Sequence, residues 1–390
     1  MTPVKRAAVF HPELRGGAGS EATAVWLAQA IQDIVRVTLV SMGPVDLPEL
    51  DRIHGTNLSG SDIGTVSLPI LRRPGRRFDA LRACRLGRWA KAHAAEFDLP
   101  VSTYNLMDFG KRGLQFIADF SFDDGLRRSL HPAPAGMTRL FYAKSPFRSL
   151  YLRLARTLAG QSREGWRRNQ TFANSRWTRD LFEARSGAPC GVLYPPVEDG
   201  LTSVPWQEKE NGFVVLARLA PEKGVEKTIV IVEAVRRAGA DVHLHILGRE
   251  DDRATTASVR ELCRERAEWA HYEGFVTGRR KREFLAQHRY GLSGCRHEAF
   301  GIAVAELARS GAIVWVPRGG GQTEVVAHED LVYGDEGDAV RKIGRVLADE
   351  GKQADLARHL AAHSALFSTP RFVREARAIV RAFLGGEDGR

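Results

Sequence analysis

The second half of the chain alternates short apolar runs with amphipathic stretches, and this alternation restricts the fold more than any other feature. FVVLARL (213–219), VHLHILG (242–248) and AIVWVP (312–317) have the composition of buried strands. Between the first two, residues 224–238 have helical periodicity, and a second helical pattern follows at about 255–268. Strands that alternate with helices form a parallel sheet with helices on both faces. This half therefore predicts a doubly wound α/β domain.

The first half begins in the same way. An apolar segment, Val4 to Phe10, precedes a Gly-rich stretch, a helical pattern (ATAVWLAQAIQD) and a β-branched strand (IVRVTLVSMG). Residues 198–211 are polar and lack apolar periodicity, which indicates a linker. The predicted division is a first domain at 1–197, a linker at 198–211, a second domain at 212–369 and a terminal helix within 370–390 that crosses back to the first domain.

Composition excludes several classes of protein. The chain has 390 residues with no long apolar run, and its start has no signal-peptide core, so we expect a cytoplasmic protein with peripheral membrane contact at most. Four scattered cysteines without CxxC indicate reduced thiols. A net charge of +10 favours anionic partners, including an anionic membrane surface. Nucleic acid is not expected, because the basic clusters lack interleaved aromatic residues.

Two loops that follow predicted strands have the composition of an anion site. RGGAGSE (15–21) allows close approach of backbone to a ligand at a helix start, although its spacing is neither that of a Walker A loop nor GxGxxG. ARLAPEKG (217–224) places Arg218 and Lys223 where a doubly wound sheet binds ligands, and the two cations suit a diphosphate. The simpler alternatives are a tight turn for the first loop and a surface ion pair for the second.

A third loop, HEAFGIAVAE (297–306), contains two carboxylates eight residues apart. We expect the helix to begin near Phe300 or Gly301, so that Glu298 precedes it and Glu306 lies inside it. The pair then suits two hydroxyl-rich parts of one ligand, with helix-start N–H groups directed at phosphate. The simpler alternative is a carboxylate that complements the helix dipole. PRGGGQTEVV (317–326) is a further Gly-rich turn after a strand.

No metal site is apparent in the sequence. HExxH and a DxD at a strand end are absent, and the adjacent pairs Asp123-Asp124 and Asp251-Asp252 are poorly placed to share one ion. His243 and His245 lie on one face of a predicted strand, where a core or surface role is expected. We therefore expect neither a metal requirement nor a cofactor.

Taken in order, these motifs resemble the family-4 retaining glycosyltransferases of the GT-B fold. ARLAPEKG, HEAFGIAVAE and GGGQTE match the family's basic loop, its E-x7-E motif and its Gly-Gly…Glu turn. Upstream, GGAGSE matches its Gly-rich loop, and NSRWTRDLF with LYPPV matches the segment that closes its first domain. LYPPV also looks like members that use GDP-mannose. The resemblance implies two Rossmann-like domains that face each other across a cleft, with the acceptor bound mainly by the first.

The resemblance also implies roles for individual residues. Arg218 and Lys223 would hold the donor diphosphate and assist departure of the leaving group. Glu298 would face the sugar hydroxyls, and Glu306 would bind the nucleotide ribose. The backbone of Phe300, Gly301 and Ile302 would lie beside the sugar and the phosphate. Gly16 and Gly17 would close over the phosphates from the first domain.

One position departs from the family pattern. Many members have a His after an apolar strand of the first domain, and here QFIADF places Ala118 at that position with Asp119 beside it. Asp119 is therefore a candidate for the missing contact.

The implied activity is transfer of a hexose, mannose being the favoured sugar, from a GDP- or UDP-sugar to a glycan or lipid-linked acceptor. Two alternatives remain: a sugar-nucleotide 2-epimerase of the same fold, and a catalytically degenerate homologue that still binds nucleotide sugar.

Overall fold

The structure is a computed structural model that describes residues 4–14, 19–69, 79–131, 146–197 and 204–385. The chain divides into two compact units, Met1–Pro196 with Thr369–Arg390, and Val197–Ser368. Each unit contains one parallel sheet with helices around it, as the alternating pattern predicts. In the ranges given above, no helix combines the length and apolar character needed to cross a membrane.

The sheet of the first unit has the strand order β3-β2-β1-β4-β5-β6-β7 within the described residues, with every pair parallel. Its strands are β1 (Arg6–His11), β2 (Arg36–Met42), β3 (Gly64–Leu68), β4 (Leu99–Ser102), β5 (Leu114–Ile117), β6 (Gln170–Ala173) and β7 (Gly191–Val192). Its helices are α1 (Gly19–Ile31), α2 (Leu47–His54), α3 (Asp79–Ala92), α4 (Asp124–Leu130), α5 (Pro146–Ala159), α6 (Arg163–Arg167), α7 (Arg176–Ser186) and, at the end of the chain, α15 (Thr369–Gly385). Single 3₁₀ turns lie at Ala94–Glu96 and Phe120–Phe122.

The sheet of the second unit has the order β10-β9-β8-β11-β12-β13 in the described part of the chain, again all parallel. Its strands are β8 (Glu210–Leu216), β9 (His243–Leu247), β10 (Ala270–Gly274), β11 (His288–Leu292), β12 (Ile313–Pro317) and β13 (Val332–Tyr333). Its helices are α8 (Val225–Arg237), α9 (Arg253–Glu265), α10 (Gly278–Gln287), α11 (Ile302–Arg309), α12 (Gln322–Val326), α13 (Glu336–Leu347) and α14 (Glu350–Ser364). Single 3₁₀ turns lie at Trp206–Glu208, Pro221–Lys223, Glu329–Leu331 and Ala365–Phe367.

The central strands are buried on both faces, which explains their nearly continuous apolar composition. Ala7, Ala8 and Val9 in β1 have no exposed surface, and in β12 all five residues are buried. Parallel sheets covered by helices on both sides require such strands.

Helix α15 packs against the first unit. Phe372, Val380 and Phe383 join the core formed by β1 and α1, each with at most 2% of its surface exposed. Arg377 binds both carboxylate oxygens of Asp33 at 2.6 Å. Undocking would expose the apolar face of this amphipathic helix to water, so α15 is an integral part of the unit.

The start of the second sheet lies earlier than the sequence indicates. Strand β8 begins at Glu210, inside the stretch 198–211 predicted as a linker, and a 3₁₀ turn precedes it. Glu210 pairs in register with His288 of β11. The first residues of β8 are exposed and polar, so the apolar pattern starts only at Phe213.

Candidate functional site

The loops that follow β8 and β11 leave the same edge of the second sheet side by side. The two strands are neighbours, with Phe213 paired to Tyr290 and Val214 to Gly291. Both therefore present their carboxyl ends at the edge where open parallel sheets bind ligands. The order of the strands thus brings together two loops, 217–224 and 293–301. These loops carry most of the predicted site residues of this unit.

Two glycines let these loops touch through their backbones. Gly224 has φ +58°, and a Cβ there would lie 2.5 Å from the carbonyl oxygen of Gly294. A Cβ on Gly294 would lie 2.2 Å from the carbonyl oxygen of Gly224. Both distances are far below van der Waals contact, so any larger residue at either position would separate the loops.

Lys223 and Glu298 form an ion pair across this contact, 75 residues apart in the chain. Their side chains are only 17% and 25% exposed. Burial alone would raise the pKa of the Glu298 carboxyl, but the Lys223 ammonium, together with contributions from Cys295 and Arg218, outweighs it and the pKa is lowered. At Lys223 burial alone would lower the pKa, but the charge and hydrogen bond of Glu298, together with Cys295, outweigh it and raise the pKa. Both groups are therefore charged at neutral pH.

Arg218 lies on the same loop and binds two carboxylates. Its guanidinium pairs with Asp251, which follows the neighbouring strand β9, and with Glu222 at 3.2 Å. The Arg218 side chain is 44% exposed, so its charge remains accessible to a ligand. The sequence motifs single out Arg218 but not Asp251 as its partner.

A third glycine-rich loop fixes the backbone of Glu298. Gly319 and Gly320, after β12, have φ values of +105° and +82°. A Cβ on Gly320 would lie 2.7 Å from the Glu298 amide nitrogen and 2.6 Å from its carbonyl oxygen. The Gly321 amide then donates to that carbonyl at 2.7 Å. The predicted Gly-rich turn therefore positions Glu298.

Helix α11 begins between the two carboxylates, as the sequence indicates. Gly301 caps it with φ +99° and Ile302 is its first residue, with no side-chain hydrogen bond at the cap in the described part of the chain. Its first N–H groups thus have no side-chain cap and suit an anion. The Phe300 ring is buried and packs against Phe367 at 5.3 Å, so any ligand contact there comes from backbone.

Glu306 lies inside α11 and is 9% exposed. Its Oε1 accepts a hydrogen bond from Lys281 Nζ of α10 at 2.8 Å. The sequence motifs do not single out Lys281, because it belongs to a basic cluster whose simplest assignment is a solvated face.

Asp119 lies at the corresponding edge of the first sheet, just past β5. Its carboxylate accepts hydrogen bonds from the Tyr104 hydroxyl at 2.6 Å, the Asn105 side chain at 2.6 Å and the Ser121 amide at 2.8 Å. Asn105 has φ +63°, an unusual conformation for a residue other than glycine. Asp119 therefore fixes the geometry of a polar turn between β4 and β5.

His11 is a further polar residue at this edge that the motifs do not reveal. It ends β1, its ring lies 5.7 Å from that of Tyr104, and burial lowers its pKa to about 4. Its Nδ1 hydrogen-bonds the Glu13 carbonyl oxygen at 2.6 Å, and its Nε2 lies 3.3 Å from the Ser20 hydroxyl. His11 is thus a neutral imidazole. In the sequence, it could have been found as the polar residue that directly follows the apolar segment ending at Phe10. Gly16 and Gly17 lie outside the described residues.

Comparison with solved structures identifies the architecture. The Anabaena protein HepE, crystallised with UDP and glucose, matches with a TM-score of 0.69 at 14% identity, covering 97% of this chain and 100% of that one. WaaG, a glycosyltransferase of lipopolysaccharide biosynthesis, matches with a TM-score of 0.71 at 14% identity, covering 96% and 99%. The fold is GT-B. Sucrose-phosphate synthase from Thermosynechococcus elongatus matches with a TM-score of 0.68 at 14% identity, covering 98% and 100%.

The sequence similarity to a known family lies mainly in the second unit. Residues 201–361 match the family model of glycosyl transferases group 1. This range contains the Lys223–Glu298 pair, Arg218 and Glu306. No curated protein sequence matches the chain.

We predict that stability depends on the Lys223–Glu298 pair in a pH-dependent way. The lowered pKa of Glu298 means that its contribution is present above the ordinary pKa of 4.5 and is lost as pH falls through the folded value. Lys223→Met leaves a partly buried carboxylate unpaired and should cost about 3 kcal/mol at pH 7. Urea unfolding at pH 7 and at successively lower pH measures both effects.

The double variant Lys223→Met/Glu298→Gln provides the control, because it removes both charges. It should recover most of the loss at pH 7 and show a shallower decline than the wild type in acid. Equal pH dependence of the wild type and the double variant would contradict a charged pair.

Proposed function

We propose that the chain is a retaining glycosyltransferase that moves a hexose from a nucleotide diphosphate sugar to a glycan or lipid-linked acceptor. The observation that carries the proposal is the Lys223–Glu298 pair, held beside Arg218 at the ligand-binding edge of a domain that matches group 1 glycosyl transferases. Two cations and a carboxylate at one edge suit a ligand with both phosphates and hydroxyls.

In this proposal Arg218 and Lys223 bind the donor diphosphate. The bond between the anomeric carbon and the phosphate oxygen breaks, and its electron pair goes to that oxygen. The two cations stabilise the negative charge that develops there. An acceptor hydroxyl bonds to the anomeric carbon from the same face, and its proton passes to the departing phosphate. No step requires a metal ion.

The two carboxylates have separate tasks. Glu298 accepts hydrogen bonds from the sugar hydroxyls, and its fixed backbone places it at the start of α11, where Gly301 and Ile302 direct N–H groups at phosphate. Glu306 accepts hydrogen bonds from the ribose diol. The contact with Lys281 leaves the Glu306 carboxylate with acceptor capacity, since ionised carboxylates have about four lone-pair positions.

Asp119 is the candidate contact on the acceptor side, in place of the His that Ala118 replaces. Its three hydrogen bonds favour action through Tyr104 and Asn105, which it holds in place, over direct proton transfer. His11, neutral and adjacent to Tyr104, is a second candidate in this unit.

Two observations point to different bases and sugars for the donor. LYPPV resembles members of the family that use GDP-mannose, whereas HepE was crystallised with UDP, glucose and UDP-glucose. We propose a hexose donor of one of these two types, with mannose favoured by the motif.

A lipid-linked acceptor is supported by helix α5. Leu150, Leu154 and Leu158 are 54%, 53% and 61% exposed and recur every four residues, so they form one apolar stripe beside the exposed Arg153. Such a face suits peripheral contact with an anionic membrane.

Co-sedimentation with vesicles tests this contact. Binding should require anionic lipid and weaken with salt, and Leu154→Asp should reduce it more than the exposed Val230→Asp in the second unit. Equal binding of both variants would contradict contact through α5.

The donor proposal predicts a specific thermal shift. One nucleotide sugar from a panel that includes UDP-glucose and GDP-mannose should raise the melting temperature and be turned over to an acceptor-linked or hydrolysed product. Lys223→Ala should abolish turnover, because it removes a cation from the developing phosphate charge. Lys227→Ala is the matched control, since Lys227 lies four residues further on, 62% exposed and paired with Glu336.

The outcomes separate the alternatives. Conversion of the donor sugar to its 2-epimer without transfer would identify an epimerase. Binding without any turnover would identify a degenerate homologue. If Lys223→Ala retains both donor binding and turnover, the assignment of the site is wrong.

Glu306→Gln and Glu298→Gln should affect different kinetic parameters. The first change weakens ribose contacts that persist through the reaction and should mainly raise KM. The second weakens contacts to the reacting sugar and should lower kcat by about 10–100-fold and alter sugar preference. Steady-state kinetics with two donor sugars measures both, and equal changes in KM alone would rule out this division of tasks.

A further inference from the structure

Three histidines and a glutamate from different parts of the second unit meet at one point. Glu210, His243, His245 and His288 each offer one ligand atom, and these atoms all lie within 4.8 Å of one another. We call this group the histidine cluster. Its first and last members lie 78 positions apart, and only His243 and His245 are close in the chain, with Leu244 between them.

The histidine cluster lies at the amino ends of the strands, opposite the carboxyl ends where the proposed donor site lies. Glu210, His243 and His288 are the first residues of β8, β9 and β11, which are adjacent in the order β9-β8-β11. The amino ends of these parallel strands meet here, whereas the loops with Lys223 and Glu298 follow their carboxyl ends. The cluster therefore needs an explanation other than donor binding.

Within the described part of the chain, one buried nitrogen of His288 has no hydrogen-bond partner. Its side chain is 2% exposed, and its Nδ1 lies 2.7 Å from the Phe284 carbonyl oxygen, to which it donates. That bond fixes the tautomer in which Nε2 carries the lone pair. Nε2 makes no hydrogen bond to any described residue and lies 3.7 Å from Oε2 of Glu210. An orphaned buried acceptor of this kind is costly unless something binds it.

His243 repeats this arrangement from the neighbouring strand. Its Nε2 is buried, has no hydrogen bond among the residues that the structure describes, and lies 3.4 Å from the same Oε2 of Glu210. Gly212, its register partner on β8, makes room for the ring, because a Cβ there would lie 2.1 Å from Nε2. The strand therefore has a glycine where any other residue would displace the imidazole.

His245 has the outer contact typical of a metal ligand. Its Nδ1 lies 2.9 Å from Oε1 of Glu273 on β10, and its ring centroid lies 4.9 Å from that of His288 and 5.1 Å from that of His243. A carboxylate that accepts from one imidazole nitrogen orients the ring and makes the other nitrogen a better ligand.

The charges around the cluster are compatible with a cation. The carboxylates of Glu210 and Glu273 lie against the imidazoles and attract a positive ion. The nearby Lys209 donates to the carbonyl oxygens of Ala286 and Ser310, which accounts for its buried ammonium.

We propose that the histidine cluster binds one Zn²⁺ ion through the three imidazoles and the Glu210 carboxylate. Tetrahedral Zn²⁺ with bonds of about 2.0–2.2 Å separates its ligand atoms by roughly 3.3 Å. The observed separations of 3.4 and 3.7 Å from Glu210 are close to this value. Imidazole nitrogen and carboxylate oxygen are both established ligands of Zn²⁺.

The ion has a structural role in this proposal. Four protein ligands close the coordination sphere, which is typical of structural zinc sites. The ion links the starts of three adjacent strands and thus stabilises the second unit without contact to the donor. Glu210 is 53% exposed, which provides an entry path from solvent.

The test uses the full-length protein stripped of metal with a chelator and then titrated with CoCl₂. One Co²⁺ per chain should bind with the intense visible absorption of a tetrahedral site, and ZnCl₂ should displace it. ZnCl₂ should also raise the melting temperature of the stripped protein. Absence of saturable Co²⁺ binding, or only the weak absorption of an octahedral ion, would overturn the proposal.

Three variants locate the site. His243→Ala should abolish the tetrahedral absorption, and Glu273→Gln, which leaves all four ligands and a hydrogen-bonding amide, should weaken Co²⁺ binding about 10–100-fold. His359→Ala is the matched control, since its ring lies beside those of His328 and His363 in a second group of imidazoles in the same unit. It should bind Co²⁺ as the wild type does.

The converse pattern would overturn the proposal. If His359→Ala loses the absorption while His243→Ala retains it, the ion binds elsewhere. If His243→Ala fails to fold, Glu273→Gln decides, and unchanged affinity in that variant contradicts the assigned geometry.

Discussion

The contact between the backbones of Gly224 and Gly294 determines the chemistry of the second unit. It joins the loops that follow β8 and β11, and it brings Lys223 against Glu298. The pair is stable because each charge compensates the burial of the other, whereas either one alone would carry a desolvation penalty. The proposed donor site depends on this arrangement, since a ligand with phosphates and hydroxyls requires a cation and a carboxylate at one point.

Much of this could be predicted from the sequence because it depends on local patterns. The alternation of apolar runs and helical periodicity indicates two parallel sheets, and parallel sheets place the loops that matter at one edge. The spacing of Glu298 and Glu306 becomes informative once a glycine-capped helix begins between them at Ile302. Positive φ at Gly224, Gly301 and Gly320 explains why the motifs are rich in glycine at those positions.

Partners that come from distant strands, loops and helices could not be predicted in this way. Asp251 binds Arg218, Lys281 binds Glu306, and Glu210 and His288 join His243 only because strand order and register place them there. The sequence likewise suggests Asp119 as a replacement for a missing histidine, whereas its three hydrogen bonds depend on a turn that no motif describes. The two edges of the second sheet thus have distinct chemistry, with charged loops at one and imidazoles at the other.

The most direct test of the central claim is a double-mutant cycle on donor binding. Affinity for the preferred nucleotide sugar is measured in the wild type, Lys223→Met, Glu298→Gln and the double variant. If the two side chains act on one ligand as a pair, their effects should be strongly non-additive, with a coupling of about 1 kcal/mol or more. Additive effects, or affinity unchanged in all three variants, would contradict the account.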